Sequence, residues 1–358
     1  MSVISSLPQS ESVINLIILN RQKGPPGDTI LKISPLVSVV TPSYNQAEYL
    51  EETILSVLGQ DYPNIEYIII DGDSTDGSVD IIRKYEEQLM YWVSEPDEGQ
   101  ADAINKGWRI ARGQYLTWLN ADDVLLPDAI TRCVQFLEES PDSMMVYGDV
   151  YHIDQYSEIL GLQVTHEFNY MTVIRSAVNP VMQPGFLVRR EALDTAGELN
   201  PKLQFGLDFE YWLRLGCVAA IRYTGFPVAR FRVHPTSKTT NQQSVMASER
   251  IQMFEAVFAR DDLHEDLQSL ESESLCNVRL IAANGYLKAL DGRSARRCVL
   301  EAMRLNPASL SPRVVWTLFK TLVPPEILVR FQRWRDKHRR KALAGNMSLA
   351  DQQASDIR

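Results

Sequence analysis

Along residues 37–119 short apolar runs alternate with stretches whose apolar positions recur three or four apart. Val37-Ser38-Val39-Val40-Thr41 is the first run, and Pro42 closes it. Leu50, Ile54, Val57 and Leu58 then share one helical face. Residues 65–70 form a second run, as expected of a strand covered on both faces. A turn-rich loop, Asp71-Gly72-Asp73-Ser74-Thr75-Asp76-Gly77, leads to a helix from 78 to about 88. A short strand at 90–93, a helix over 99–111 and a strand over 114–119 complete the series. Strand and helix alternating through short connections predict an α/β fold: a doubly wound, mostly parallel sheet with helices on both faces.

Past Asp123 the pattern loosens. Residues 144–147 and 226–233 read as strands, and 208–215 as a helix with an acidic first turn. Residues 151–190 follow no single period, whereas 245–307 are helical in pattern. Gly285, Tyr286, Ala289, Gly292, Ala302 and Pro307 faintly resemble one tetratricopeptide hairpin, but one copy makes no array, and an ordinary helical hairpin is the simpler reading. An apolar stripe at Val314, Val315, Leu318, Phe319, Leu322 and Val323 resumes at Ile327, Leu328 and Phe331. The cations Arg333, Arg335, Lys337, Arg339, Arg340 and Lys341 follow it. Such a segment, 314–341, suits peripheral contact with a membrane surface, or a core-packing helix with a solvated basic tail. The expected organisation is an extension over 1–35, a main domain over 36–240, a helical region over 241–335 and a polar tail over 336–358.

Composition narrows the function classes. A net charge of −10 argues against general nucleic-acid binding. Cys133, Cys217, Cys276 and Cys298 are widely spaced and contain no CxxC pair, which points to reduced thiols in a cytoplasmic protein. Neither a membrane-spanning run nor a secretory signal is evident, so any membrane association is expected to be peripheral, on the inner face.

The densest chemistry lies at Asn120-Ala121-Asp122-Asp123, directly after the 114–119 strand. Adjacent carboxylates at the carboxyl edge of a sheet sit where open α/β folds bind ligands. They suggest a cation shared with a phosphate, or else a turn before a helix beginning near 124–127. The loops after the first two strands would reach the same edge. Neither holds a GxGxxG or GxxxxGK[ST] pattern, so a diphosphate there would be held through a metal ion. Asp71 or Asp73 could accept hydrogen bonds from a base or ribose, and the Tyr44 ring could pack near the base.

Three segments carry a resemblance: Val37-Ser38-Val39-Val40-Thr41-Pro42-Ser43-Tyr44-Asn45, Ile70-Asp71-Gly72-Asp73-Ser74-Thr75-Asp76-Gly77 and Asn120-Ala121-Asp122-Asp123. Together they resemble family 2 glycosyltransferases of the GT-A type. Residues 94–107, Ser94-Glu95-Pro96-Asp97-Glu98-Gly99-Gln100-Ala101-Asp102-Ala103-Ile104-Asn105-Lys106-Gly107, resemble a bacterial subgroup of that family. The resemblance covers about 37–235 and implies transfer of a sugar, with inversion, from a nucleotide-diphosphate sugar, UDP-linked by preference. The acceptor would be a hydroxyl of a saccharide or lipid-linked molecule in cell-surface polysaccharide synthesis. It implies Asp208 as catalytic base and Asp122 at the donor ribose or sugar. Asp123 would coordinate Mn²⁺ or Mg²⁺, with His234 completing the metal site or touching the diphosphate. Thr41, Pro42, Tyr44, Asn45, Asp71, Asp73, Gln100, Asp102 and Asn105 would complete the donor site. Two departures stand out: Gly72 separates two acids where many relatives have them adjacent, and Ile104 precedes Asn105 where many have arginine. The competing readings are a nucleotidyltransferase, which would want a basic glycine-rich phosphate loop, and a non-catalytic nucleotide-binding scaffold.

Overall fold

The computed structural model describes residues 34–234, 242–309, 311–324 and 327. The apolar island at 13–19, Pro235, Leu328, Phe331, the basic run at 333–341 and the polar tail lie outside the described residues. Strand β1 (Val37–Ser43) is buried throughout. Helix α1 (Ala47–Leu58) turns Tyr49, Leu50, Thr53, Ile54 and Val57 inward. Then come β2 (Ile65–Asp71), α2 (Ser78–Lys84), β3 (Tyr91–Ser94), α3 (Gln100–Ile110) and β4 (Tyr115–Trp118). β1 runs parallel to β2 and β4, and β2 parallel to β3. All four carboxyl ends therefore emerge at one edge, which is what the site requires.

The chain continues through β5 (Val124–Leu125), α4 (Ala129–Glu139), β6 (Ser143–Ile153), β7 (Ile159–Gln163), α5 (Tyr170–Ser176), β8 (Leu187–Arg189), α6 (Glu191–Ala196), α7 (Leu207–Val218) and β9 (Ala220–Arg232). The strands order as β3-β2-β1-β4-β8-β6-β9-β5, with β7 beside β6. β8 pairs antiparallel with β4 and β6, β7 with β6, and β5 with β9, while β6 and β9 are parallel. The sheet is thus parallel where the regular alternation predicted it and mixed beyond. One local expectation is corrected. No helix begins at Val124; Val124 and Leu125 pair with Arg230 and Ala229, and α4 waits until Ala129. Pro127 closes off the intervening turn.

Alternation along the strands divides the core. Val39, Tyr67 and Ile69 join α1 and α4 in one layer. Val40, Ile68 and Ile70 face Ile104 and Trp108 of α3 and Trp212 of α7 on the other. The helical C-terminal region comprises α8 (Gln243–Phe258), α9 (Glu265–Gln268), α10 (Glu271–Lys288), α11 (Gly292–Leu305) and α12 (Pro312–Lys320). It is anchored to the second layer by Met253 and Phe254 of α8, which join Leu207 and Phe209 in one cluster. Helices α10 and α11 form a single hairpin closed by Asp291, whose side chain caps Ser294 N at 3.0 Å. Among the described residues no helix is long and apolar enough to cross a membrane.

Candidate functional site

β4 delivers the loop 120–123 to the carboxyl edge, and β9 brings a second segment against it. Asp123 is buried, and both its oxygens are engaged: Oδ1 accepts the Arg232 backbone N–H at 3.0 Å and Oδ2 the Asn120 amide at 3.1 Å. Burial, then the neighbouring Asp122 charge, push the Asp123 carboxyl well above the usual range, against those hydrogen bonds. The Arg232 side chain adds a bond from Nε to the Asp122 carbonyl at 2.9 Å, and Nη2 pairs with Glu52 at 2.5 Å. With Arg232 fixed this way, His234 comes to rest with Nε2 at 3.0 Å from Asp122 Oδ2. The imidazole is buried against Tyr49, ring centres 4.7 Å apart, while the Asp122 side chain keeps 23% of its surface exposed.

This arrangement separates the two acids. Asp122 offers an accessible carboxylate beside an imidazole nitrogen, a mixed oxygen and nitrogen donor set that suits Mn²⁺ and is compatible with Mg²⁺. Asp123, expected to be the ligand, is buried with one hydrogen bond accepted at each oxygen, and its bond from Arg232 N–H ties the loop to the strand that carries His234. Two protein ligands are few for a resident metal, and no cluster of three metal-binding side chains occurs among the described residues. They are enough for a cation that shares a substrate's phosphate oxygens.

The other expected residues divide into presented and consumed groups. Tyr44 is 63% exposed at the end of β1, and Asp73, exposed and at φ 65°, stands in the adjoining loop. Asn45, at φ 50°, is exposed although its Oδ1 accepts Thr75 N at 2.9 Å. Thr41 and Pro42 are buried strand residues, the Thr41 hydroxyl lying 2.9 Å from that of Tyr67. Asp71 is fully buried and accepts four hydrogen bonds, from Ser43, Ser94 and both the amide and hydroxyl of Ser74. It organises the loop and has no lone pair free for a base. Gln100 donates to Asn120 Oδ1 at 2.7 Å, so it holds the 120–123 loop. Asp102 accepts Glu98 N at 3.2 Å and pairs with Lys106 at 3.4 Å. Asn105 is buried, its amide bonded to Leu199 N at 2.9 Å and Leu199 O at 2.8 Å, as a strand neighbour would be. It ties α3 to the segment before α7.

Asp208 occupies the first turn of α7. Four residues on, Trp212 stacks on Trp118 of β4, ring centres 5.7 Å apart, which docks this helix face beside the strand that feeds the 120–123 loop. Asp208 is part-buried, and desolvation pushes its pKa up to about 6, against backbone N–H groups and the charge of Arg250. A carboxyl with such a pKa is mostly ionised at neutral pH and more basic than an ordinary carboxylate, as a general base requires.

Sequence reasoning passed over three residues. Glu249 of α8 is buried and accepts three successive backbone N–H groups, Gln204 at 2.6 Å and Phe205 and Gly206 at 2.9 Å, from the turn that starts α7. Gly206 also packs against that helix: a Cβ there would lie 2.8 Å from Met253 Cε. Arg250 spans the Phe209 ring at 5.4 Å and donates to Ala177 O at 2.7 Å. No local pattern reports these links, since α8 lies about 40 residues along the chain. The third, Asp97, stands inside the 94–107 resemblance. A Cβ on Gly72 would lie 2.6 Å from Asp97 Oδ2, so the glycine makes room for this carboxylate. Asp97 Oδ1 accepts Gly99 N at 2.8 Å, and Oδ2 has no hydrogen-bond partner among the described residues.

Comparison with known proteins adds to this picture. Residues 38–197 match the family model described as Glycosyl transferase family 2. TuaG of Bacillus subtilis, whose name assigns it to teichuronic acid biosynthesis, is 43% identical over 108 residues. That match covers 29% of this chain and spans 43% of the TuaG length. The structure of S. aureus TarS 1-349 with UDP-GlcNAc superposes with a TM-score of 0.60 at 16% identity, over 84% of this chain and 92% of the other. The mannosyltransferase PcManGT from Pyrobaculum calidifontis, in complex with GDP-Man and Mn²⁺, gives 0.53 at 20% identity, over 86% and 89% of the two chains. At these identities the structural likeness speaks for the fold.

Proposed function

We propose that this chain, whose residues 38–197 match the family 2 glycosyltransferase model, carries out an inverting transfer of a sugar from a nucleotide-diphosphate sugar to an acceptor hydroxyl. One observation carries the reading: Asp208, a carboxyl raised to about 6, stands on the helix docked beside β4, the strand that leads to Asp122, against which the segment after β9 sets His234. In a direct displacement Asp208 takes the proton of the attacking hydroxyl, while the nucleoside diphosphate departs from the opposite face of the anomeric carbon. Asp122 and His234 would hold the divalent cation, Mn²⁺ or Mg²⁺, which when bound neutralises charge on the departing diphosphate. Asp123 serves as the brace that aims His234.

Tyr44 and Asp73 are available to the nucleoside, and the unpartnered oxygen of Asp97 is better disposed to read a base than the saturated Asp71. A UDP-linked donor is favoured by the TarS complex, and a saccharide or lipid-linked acceptor in cell-surface polymer synthesis by the likeness to TuaG. Peripheral membrane contact through 314–341 agrees with such an acceptor.

Donor hydrolysis across a panel of nucleotide sugars with Mn²⁺, Mg²⁺ or EDTA tests the reading. Release of one nucleoside diphosphate, stopped by EDTA, is the expected result, with Asp97→Asn relaxing the choice of base. Turnover unchanged in EDTA would remove the metal from the scheme. The brace at the base is tested separately. An amide at 249 cannot accept on both ends, so Glu249→Gln is expected to lower kcat about 10-fold with donor KM unchanged, a small displacement of the base being costly. Equal kcat in the variant would relegate Glu249 to folding alone.

A further inference from the structure

The described C-terminal helices contain a cationic recess that the transfer reaction does not use. Helix α11 buries Ala295, Cys298, Val299 and Ala302. On its other side Arg293, Arg297, Leu300 and Arg304 recur four, three and four residues apart and form one exposed stripe. With Leu290 and Val323 they line a recess of about 530 Å³. A fourth arginine there, Arg296, is committed, its Nη2 donating to Thr321 O at 3.0 Å. The nearby acids are engaged too. Glu301 pairs with Arg279 at 3.0 Å, and Asp291 caps α11, although it lies within the field of Arg297. The guanidinium groups of Arg293, Arg297 and Arg304 make no hydrogen bond or ion pair among the described residues.

Like charges four apart on a helix oppose each other, so three unpaired cations on one stripe are a cost that a bound anion would offset. The helix that follows is apolar on its exposed side. Helix α12 turns Val314 and Thr317 inward and exposes Val315, Trp316 and Phe319, with Leu322 following. The Trp316 and Phe319 rings are stacked 5.5 Å apart and each is about half exposed. Exposed aromatics on the helix that follows the unpaired arginines, on a chain of net charge −10, form an interfacial combination.

We propose that this recess seats the phosphate of an anionic phospholipid, with Trp316 and Phe319 entering the headgroup layer. The inference rests on the membrane contact proposed above and names its phosphate site, between α11 and Val323 of the 314–341 segment. Phosphate charge is met by the three arginines, and the acyl-side glycerol by Leu290, Leu300 and Val323.

Co-sedimentation of the full chain with vesicles of phosphatidylglycerol and phosphatidylcholine, against phosphatidylcholine alone, tests it. Binding is expected only to the anionic vesicles, weakening as salt rises. Arg293→Gln combined with Arg297→Gln should weaken it about 30-fold, with Arg304→Gln as an independent single variant of smaller effect in the same direction. Both variants should keep the wild-type Tm and donor turnover. Undiminished binding by both would overturn the recess while leaving membrane contact in place. No binding by the wild type would overturn the membrane reading and the recess together. Release of the wild type from vesicles by millimolar inorganic phosphate, at constant ionic strength, would assign the recess to a soluble anion and overturn the lipid.

Discussion

Asp208→Asn is expected to lower kcat by about 10²- to 10⁴-fold while nucleotide binding stays intact. The amide preserves the shape of the side chain and its place on α7 but accepts no proton. In the wild type the rate should fall as pH drops through about 6, because the base must be ionised to act. The same substitution has an opposite effect on stability. The Asp208 carboxyl is raised from 3.8 to about 6 on folding, so its ionisation disfavours the folded state, and stability falls as pH rises between those values. At neutral pH the asparagine variant should gain roughly 1–2 kcal/mol after allowance for solvent screening. Thermal unfolding at pH 4 and pH 7.5 checks this: the variant's advantage should appear only at the higher pH. A variant both inactive and less stable at pH 7.5 would mean that Asp208 has a structural task.

The second large effect is expected at Asp122. Asp122→Asn should leave the fold intact, since among the described residues its carboxylate has only His234 as a side-chain partner and is part exposed. It should cost about 100-fold or more in kcat/KM and abolish the response to added Mn²⁺. Asp123→Ala makes the informative contrast. It strips partners from the buried Arg232 N–H and the Asn120 amide, so a loss of about 1–3 kcal/mol in stability is expected. Calorimetric titration of Mn²⁺ in the presence of a nucleoside diphosphate, run on both variants, separates ligand from brace. Wild-type Mn²⁺ affinity in Asp122→Asn would return the ligand role to its neighbour.

The two acids also show where reading the chain succeeds and where it stops. Continuous apolar runs ending in loops marked β1, β2 and β4 plainly, because a parallel sheet covered on both faces leaves that imprint, and the carboxyl edge followed from it. The pair at 122–123 was therefore recognisable as chemistry. Which acid faces outward was not, since that depends on Arg232, some 110 residues away, donating its backbone N–H to one of them. The same limit applies at Asp71, whose four donors converge from the ends of β1 and β3 and from Ser74 of its own loop, and at Asn105, whose partner is the Leu199 backbone. A short strand such as Val124–Leu125 is too brief to carry a period, and its pairing with β9 decides its state. Polar residues at a sheet edge look alike in sequence whether they serve a ligand or the loop itself.

The link from Glu249 to the turn at 204–206 bears on how chains of this kind can exchange parts. The matched family region ends at 197, short of Asp208, His234 and Glu249 alike. A crossover between two relatives anywhere from 235 to 242 would join the base-bearing turn of one parent to the α8 of another. Three backbone N–H groups would then need an acceptor that the second parent supplies only if it has a carboxylate where Glu249 stands. The C-terminal helices are therefore expected to be inherited together with the turn that carries Asp208, and hybrids that respect this pairing are the ones expected to turn over.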